Sequence, residues 1–209
     1  MVKVLLTGAT GTIGGAVLEQ CLAHPDISTV VAFARRELPD KVTSDPKLQV
    51  EITKDFSIWP EELLNTHRDA TAMIWTMGDY VGSEDVTLQY PLAFQNAFIK
   101  IRTQSSPGRN SRLFMFILGL HETRAIDLAE RHKPWFNLYI VRPGGVLRDK
   151  GWAASLQELA MGRSWSVRAR ELSAYMVYLA LGGDEADTVI MNEQIVEKGR
   201  ELVGLHAWA

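Results

Sequence analysis

Cysteine is almost missing from these 209 residues, and a lone Cys21 cannot close an internal bridge, so a cross-linked secreted scaffold is excluded. Cys21 falls in a helical pattern and reads as a small buried thiol rather than a redox centre or nucleophile. Long apolar runs are lacking too: Leu113 to Leu118 is far too short to cross a bilayer. Excess charge is slight, and a formal net charge of −3 supplies no field to attract nucleic acid or an anionic membrane, so neither is expected as a partner. No Cys/His/Asp group has metal-ligand spacing, so no metal is expected, and a serine-nucleophile elbow is missing. The first apolar stretch is interrupted at once by Thr7, Gly8 and Thr10, which reads as mature structure rather than a signal peptide and gives a cytoplasmic expectation.

What is present is the balance of a folded globular protein, 46% hydrophobic and 22% charged, at a length that fits one α/β domain over residues 1–209. Apolar strand-like runs alternate with helical periodicity, the pattern of a parallel sheet covered on both faces. Strands are expected at Val2 to Thr7, Thr29 to Ala34, Leu48 to Thr53, Ala72 to Met77, Leu113 to Leu118 and Leu138 to Val141. The first helix should run from Thr12 to Ala23 and end at His24-Pro25. Right-handed crossovers then predict a doubly wound Rossmann sheet. Residues 104–111 read as a polar loop within the domain. Beyond Gly145 the alternation weakens, and Trp152 to Met161 and Glu171 to Leu181 look like helices, making 146–209 a small C-terminal helical extension on the substrate side.

The strongest chemical signal is Thr7-Gly8-Ala9-Thr10-Gly11-Thr12-Ile13-Gly14, placed between a strand and a helix. Gly8 permits the sharp turn, Gly11 lets backbone amides approach a pyrophosphate, and Gly14 allows close packing of helix on strand. Thr10, Thr12 and Ile13 complete the turn and the first helical residues, whose unpaired amides meet the anion. Phe33-Ala34-Arg35-Arg36 ends the second strand, and Arg35 lies 21 residues beyond Gly14. An acid there would bind the ribose hydroxyls of NAD, whereas guanidinium groups suit the 2′-phosphate, so NADP is expected ahead of NAD. Asp55 and Phe56, in Lys54-Asp55-Phe56, are candidates to cap the adenine, and Thr76, Met77 and Gly78 to lie along the ribose.

Together with Ala125 and Arg142-Pro143-Gly144-Gly145-Val146, these motifs resemble the short-chain dehydrogenase/reductase superfamily, in its atypical branch with NmrA-like and TIP30-like members. The likeness covers most of the chain and is nearest to small fungal members associated with polyketide and terpenoid secondary metabolism. It implies that Pro143, Gly144, Gly145 and Val146 close over a nicotinamide. It also implies a small hydrophobic substrate, and a homodimer is the assembly that the superfamily's frequent pairing through helices suggests.

The chain departs from the superfamily at the catalytic pair, a tyrosine with a lysine four residues later. Tyr80, Tyr90, Tyr139, Tyr175 and Tyr178 are followed at that spacing by Glu84, Phe94, Pro143, Leu179 and Gly182. Hydride delivery to a carbonyl leaves an alkoxide that needs a proton, so His121, Asp79 and Tyr80 become the candidate donors. His121 also shares a helical stripe with Ala125, Leu128 and His132, where a packing histidine is the plainer reading. Three functions stay open: an NADP-dependent reductase, a redox-inactive NAD(P)-binding sensor, and a cofactor-independent isomerase, cyclase or dehydratase. Lys100, Arg102, Arg109 and Arg112 read as a solvated basic loop. Trp152, Trp165, Tyr175, Met176 and Tyr178 divide between core and an apolar substrate pocket.

Overall fold

Neighbouring residues of the first strand point into two different hydrophobic layers, Val4 and Leu6 into one and Leu5 into the other, all of them fully buried. The second strand repeats this with Val30 and Ala32 against Val31 and Phe33, and the fourth with Ala72 and Ile74 against Met73 and Trp75. Burial on both faces is why these strands read as unbroken apolar runs. The structure, a computed structural model, describes residues 1–78, 85–104, 113–117, 123–133, 135–148, 165–183, 185 and 187–206.

In chain order the elements are β1 (Val2–Thr7), α1 (Thr12–Ala23), β2 (Ile27–Ala34), α2 (Asp40–Thr43), β3 (Leu48–Ile52), α3 (Glu61–Thr66) and β4 (Ala72–Trp75). A π-helical turn, Asp85–Gln89, leads into α4 (Tyr90–Gln104), β5 (Leu113–Ile117), α5 (Thr123–Glu130) and β6 (Phe136–Arg142). The chain continues through β7 (Gly145–Leu147), β8 (Ser166–Arg168), α6 (Ala169–Ala180), β9 (Val189–Met191) and α7 (Asn192–His206). Seven strands form one sheet in the order β3-β2-β1-β4-β5-β6-β9, with every neighbouring pair parallel. The expected doubly wound architecture is present, and strand order reverses between β1 and β4, the position where such sheets open a ligand crevice at their carboxyl edge.

α1, α6 and α7 pack on one face of the sheet, and α3, α4 and α5 cover the other. The second layer is aromatic: Trp59 meets Phe33 and Phe94 edge to face, with ring centroids 5.0 and 4.9 Å apart. The indole N–H of Trp59 donates to the Phe56 carbonyl at 2.8 Å, which pins the loop leaving β3. Pro91 explains the π turn. It has no N–H, and its ring crowds the carbonyl four residues back, so the helical ladder widens over Asp85–Gln89 before α4 continues.

Several boundaries differ from the sequence reading. β4 stops at Trp75, and Thr76 beyond it bonds the end of β1 through both its N–H and its hydroxyl. β9 and the two-stranded β7–β8 ladder are three residues per strand, too short to leave a periodic signature, and residues 189–206 complete the sheet and its helical layer. The expected helix at Trp152 to Met161 lies outside the described residues, whereas that at Glu171 to Leu181 is found as α6. Arg102 is a correction: it is buried, not solvated, with its guanidinium donating to the Arg68 carbonyl and lying 5.7 Å from the ring centroids of both Phe98 and Trp135. Tyr175 and Met176 are core, and Trp165 is exposed. Cys21 is buried and its thiol is pushed up to about 12 by that burial, consistent with an inert packing role. Among the described residues no helix is long and apolar enough to cross a membrane, and no metal-binding group of side chains occurs.

Candidate functional site

Gly8 leaves β1 with φ of +77°, the left-handed conformation that L side chains avoid. A side chain is barred there for a second reason, since a Cβ would lie 2.5 Å from Thr76 Oγ1. The turn closes when the Gly11 N–H donates to the Gly8 carbonyl at 2.8 Å, and the first helical bond follows from the Gly15 N–H to Gly11 O, also 2.8 Å. The amides of Thr12, Ile13 and Gly14 precede that first bond, so they have no acceptor inside α1 and form the positive end of the helix. Thr76 fastens β4 to the turn: its hydroxyl donates to the Thr7 carbonyl at 2.6 Å.

Beside the turn lies a cavity of about 400 Å³ lined by Gly8, Ala9, Thr10, Phe33, Ala34, Arg35, Arg36, Phe56 and Met77. It brings the glycine turn, both arginines of the β2 end, Phe56 and Met77 together. No carboxylate is among its described lining residues. An adjoining cavity of about 390 Å³ shares Arg35, Phe56 and Met77 and adds Lys54, Gly78, Val86 and Tyr90. Phe56 is almost wholly buried, so it forms a wall and not a free flap.

Six other expected residues line neither cavity. Asp55 lines neither cavity; its carboxylate accepts the Ser57 hydroxyl at 2.6 Å and the Ser57 N–H at 2.8 Å, which hold it below its ordinary pKa. Asp55 therefore closes a local turn with Ser57. Thr76 faces Gly8 and Gly14 and acts as a brace between strands rather than a cavity wall. Pro143, Gly144, Gly145 and Val146 stand at the carboxyl end of β6, away from both cavities, and Gly145 and Val146 enter the β7–β8 ladder instead of a plain loop. His121, Asp79 and Tyr80, the candidate proton donors, lie outside the described residues. Val86 and Tyr90 had no place in the sequence-derived site, because the π turn ahead of α4 carries them to the cavity wall.

No protein-family model matches the chain. It is 28% identical to "Protein FMP52, mitochondrial" of Saccharomyces cerevisiae over 95% of this chain and 90% of that protein. It is 27% identical to "Leucinostatins biosynthesis cluster protein T" of Purpureocillium lilacinum over 68% of this chain and 57% of that protein. Among solved structures, 3-oxoacyl-[acyl-carrier protein] reductase from Brucella melitensis with NAD aligns at a TM-score of 0.64 and 16% identity, covering 93% of this chain and 97% of that one. A short chain dehydrogenase from Burkholderia cenocepacia with NADP aligns at 0.62 and 16% identity, covering 99% and 96%. The cytoplasmic expectation is overturned: the yeast relative and three further matches from Aspergillus and Lodderomyces are named mitochondrial. A folded domain needs the same core and surface on either side of an organelle boundary, so the interruption of the first apolar stretch by Thr7, Gly8 and Thr10 carried no address. By its strand order, its glycine turn and these structural likenesses, the chain has the Rossmann fold of the short-chain dehydrogenases and reductases.

Proposed function

We propose that this chain is an NADP-binding, reductase-like oxidoreductase acting on a small hydrophobic intermediate, with secondary-metabolite biosynthesis as its setting and mitochondria as the compartment to examine. One observation carries the cofactor choice: Arg35 and Arg36 line the cavity beside the glycine turn, with no carboxylate among its described lining residues. A ribose with two free hydroxyls is held by an acid, whereas two guanidinium groups match a 2′-phosphate. In this reading the amides of Thr12, Ile13 and Gly14 hold the diphosphate, and Phe56 and Met77 wall the adenosine side. The turn Pro143–Val146, on the same sheet edge, receives the nicotinamide half. The coenzyme, when bound, supplies the hydride. The relative from the leucinostatin cluster supports the biosynthetic setting.

NADPH fluorescence titration tests the cofactor. Arg35→Asp should weaken NADPH binding relative to NADH by about 10- to 100-fold, the loss of a charge-assisted hydrogen bond plus a new repulsion. An unchanged preference overturns the assignment. A second reading, a redox-inactive NADP-binding regulator, is favoured by the tyrosine spacing, since no tyrosine has a lysine four residues later. Loss of NADPH absorbance with any member of a ketone panel supports the reductase, and binding without turnover across the panel supports the regulator.

A further inference from the structure

We propose that Asn192 is a positioning residue for the nicotinamide half of the coenzyme, acting through the Pro143–Val146 turn; the inference rests on the dinucleotide reading above. β9 runs parallel to β6 with Arg142 opposite Met191, so the first residue of α7, Asn192, stands level with Pro143 at the carboxyl edge. From there its side chain reaches across 48 residues of sequence, and its Oδ1 accepts the Gly144 N–H at 2.7 Å. The next amide is held as well, the Gly145 N–H donating to the Trp165 carbonyl at 2.8 Å. Gly144 is enclosed between these partners. A Cβ there would lie 2.3 Å from Trp165 O and 3.2 Å from Asn192 Cγ, so the side-chain amide and the β8 approach leave room for glycine alone.

A peptide unit is planar, so fixing one N–H also fixes the carbonyl on its other side. The bond from Asn192 therefore sets the orientation of the Pro143–Gly144 peptide, and the Trp165 bond that of the next. Three strand spacings separate β1 from β6, about 14 Å along the edge, the reach of the second nucleoside of a dinucleotide whose diphosphate sits at the glycine turn. Both ends of the crevice are thus built in advance: the adenosine end by Arg35 and Arg36, the other by a turn whose peptide planes are clamped from the C-terminal helix. Asn192 touches neither cavity on the adenosine side, which separates its effect from theirs.

Binding of NADPH and of adenosine 2′,5′-bisphosphate, which fills the adenosine end alone, is compared in the full chain and in Asn192→Ala, Asn192→Ser and Asn192→Asp. Serine suits a helix start and is too short to reach Gly144, so it serves if the alanine variant folds poorly. The alanine and serine variants should bind NADPH about tenfold more weakly, the worth of one side-chain hydrogen bond, with bisphosphate affinity held within about twofold. Asn192→Asp keeps an accepting oxygen and should restore most of the affinity. Unchanged NADPH affinity in both truncated variants, or an equal loss for both ligands, overturns the role of Asn192. Failure of the unaltered chain to bind NADPH overturns the dinucleotide reading itself, and with it this inference.

Discussion

A Cβ on Gly14 would lie 2.1 Å from the Gly8 carbonyl oxygen and 2.5 Å from Thr76 Oγ1, whereas one on Gly15, the next residue of α1, would meet only Ala9 O at 3.5 Å. Adjacent glycines in one helix therefore have opposite consequences. Gly14→Ala must push the helix off the turn and should cost about 1–3 kcal/mol. Gly15→Ala should stabilise by about 0.5–1 kcal/mol, because alanine is the better helix former where space is free. Urea denaturation of the two variants checks this, and equal effects would refute the close-packing argument. The glycine turn was legible because strand, glycines and helix follow one another in the chain. Arg102 was misread from the same string. Its charge suggested water, and only packing shows it sandwiched between aromatic rings with its guanidinium on a backbone carbonyl.

Helices α6 and α7 are joined through Glu171, whose buried carboxylate accepts the Arg168 N–H at 3.1 Å to cap α6 and the Arg200 Nε–H at 3.4 Å from α7. The two helices also approach closely at Gly199, where a Cβ would lie 2.5 Å from Glu171 O. Glu171→Ala removes a cap and a cross-helix bond together and should destabilise by about 1–2 kcal/mol. Glu201→Ala, which removes an exposed pair with Lys198 on α7 alone, should change stability by less than about 0.5 kcal/mol. Equal losses in chemical denaturation would show that the cap carries no special weight. Elements whose residues repeat over six or more positions, such as β1, β2 and α1, were readable from periodicity. β9, at three residues, was not, since it has meaning only as a partner for β6.

Across the whole molecule, one buried histidine couples the fold to pH. His67 lies under the sheet, its ring edge-on to Phe33 at 5.9 Å and its Nε2 3.4 Å from Glu51 Oε1 without hydrogen-bond alignment. Burial lowers its pKa, the nearby Lys3 lowers it further, and Glu51 offsets part of the effect. The unfolded imidazole takes up a proton near its ordinary pKa of about 6.5 while the folded one resists, so the unfolded state binds more protons as pH falls. The sign follows: stability present above about pH 6.5 is lost as pH drops below it toward the depressed folded value. His67→Leu should flatten this loss between about pH 7 and 5.5 in urea midpoints, and a parallel decline in both proteins would refute it.

The sequence by itself determined the doubly wound class, the glycine turn and the arginine pair, because each depends on residues near one another in the chain and on a period of two or 3.6. Tertiary structure alone decided that a π turn brings Val86 and Tyr90 to the cavity beside β2 and β4, and that Asn192 holds Gly144. Those contacts join segments whose separation has no periodic trace, and they exist only once a sheet lays distant strand ends side by side.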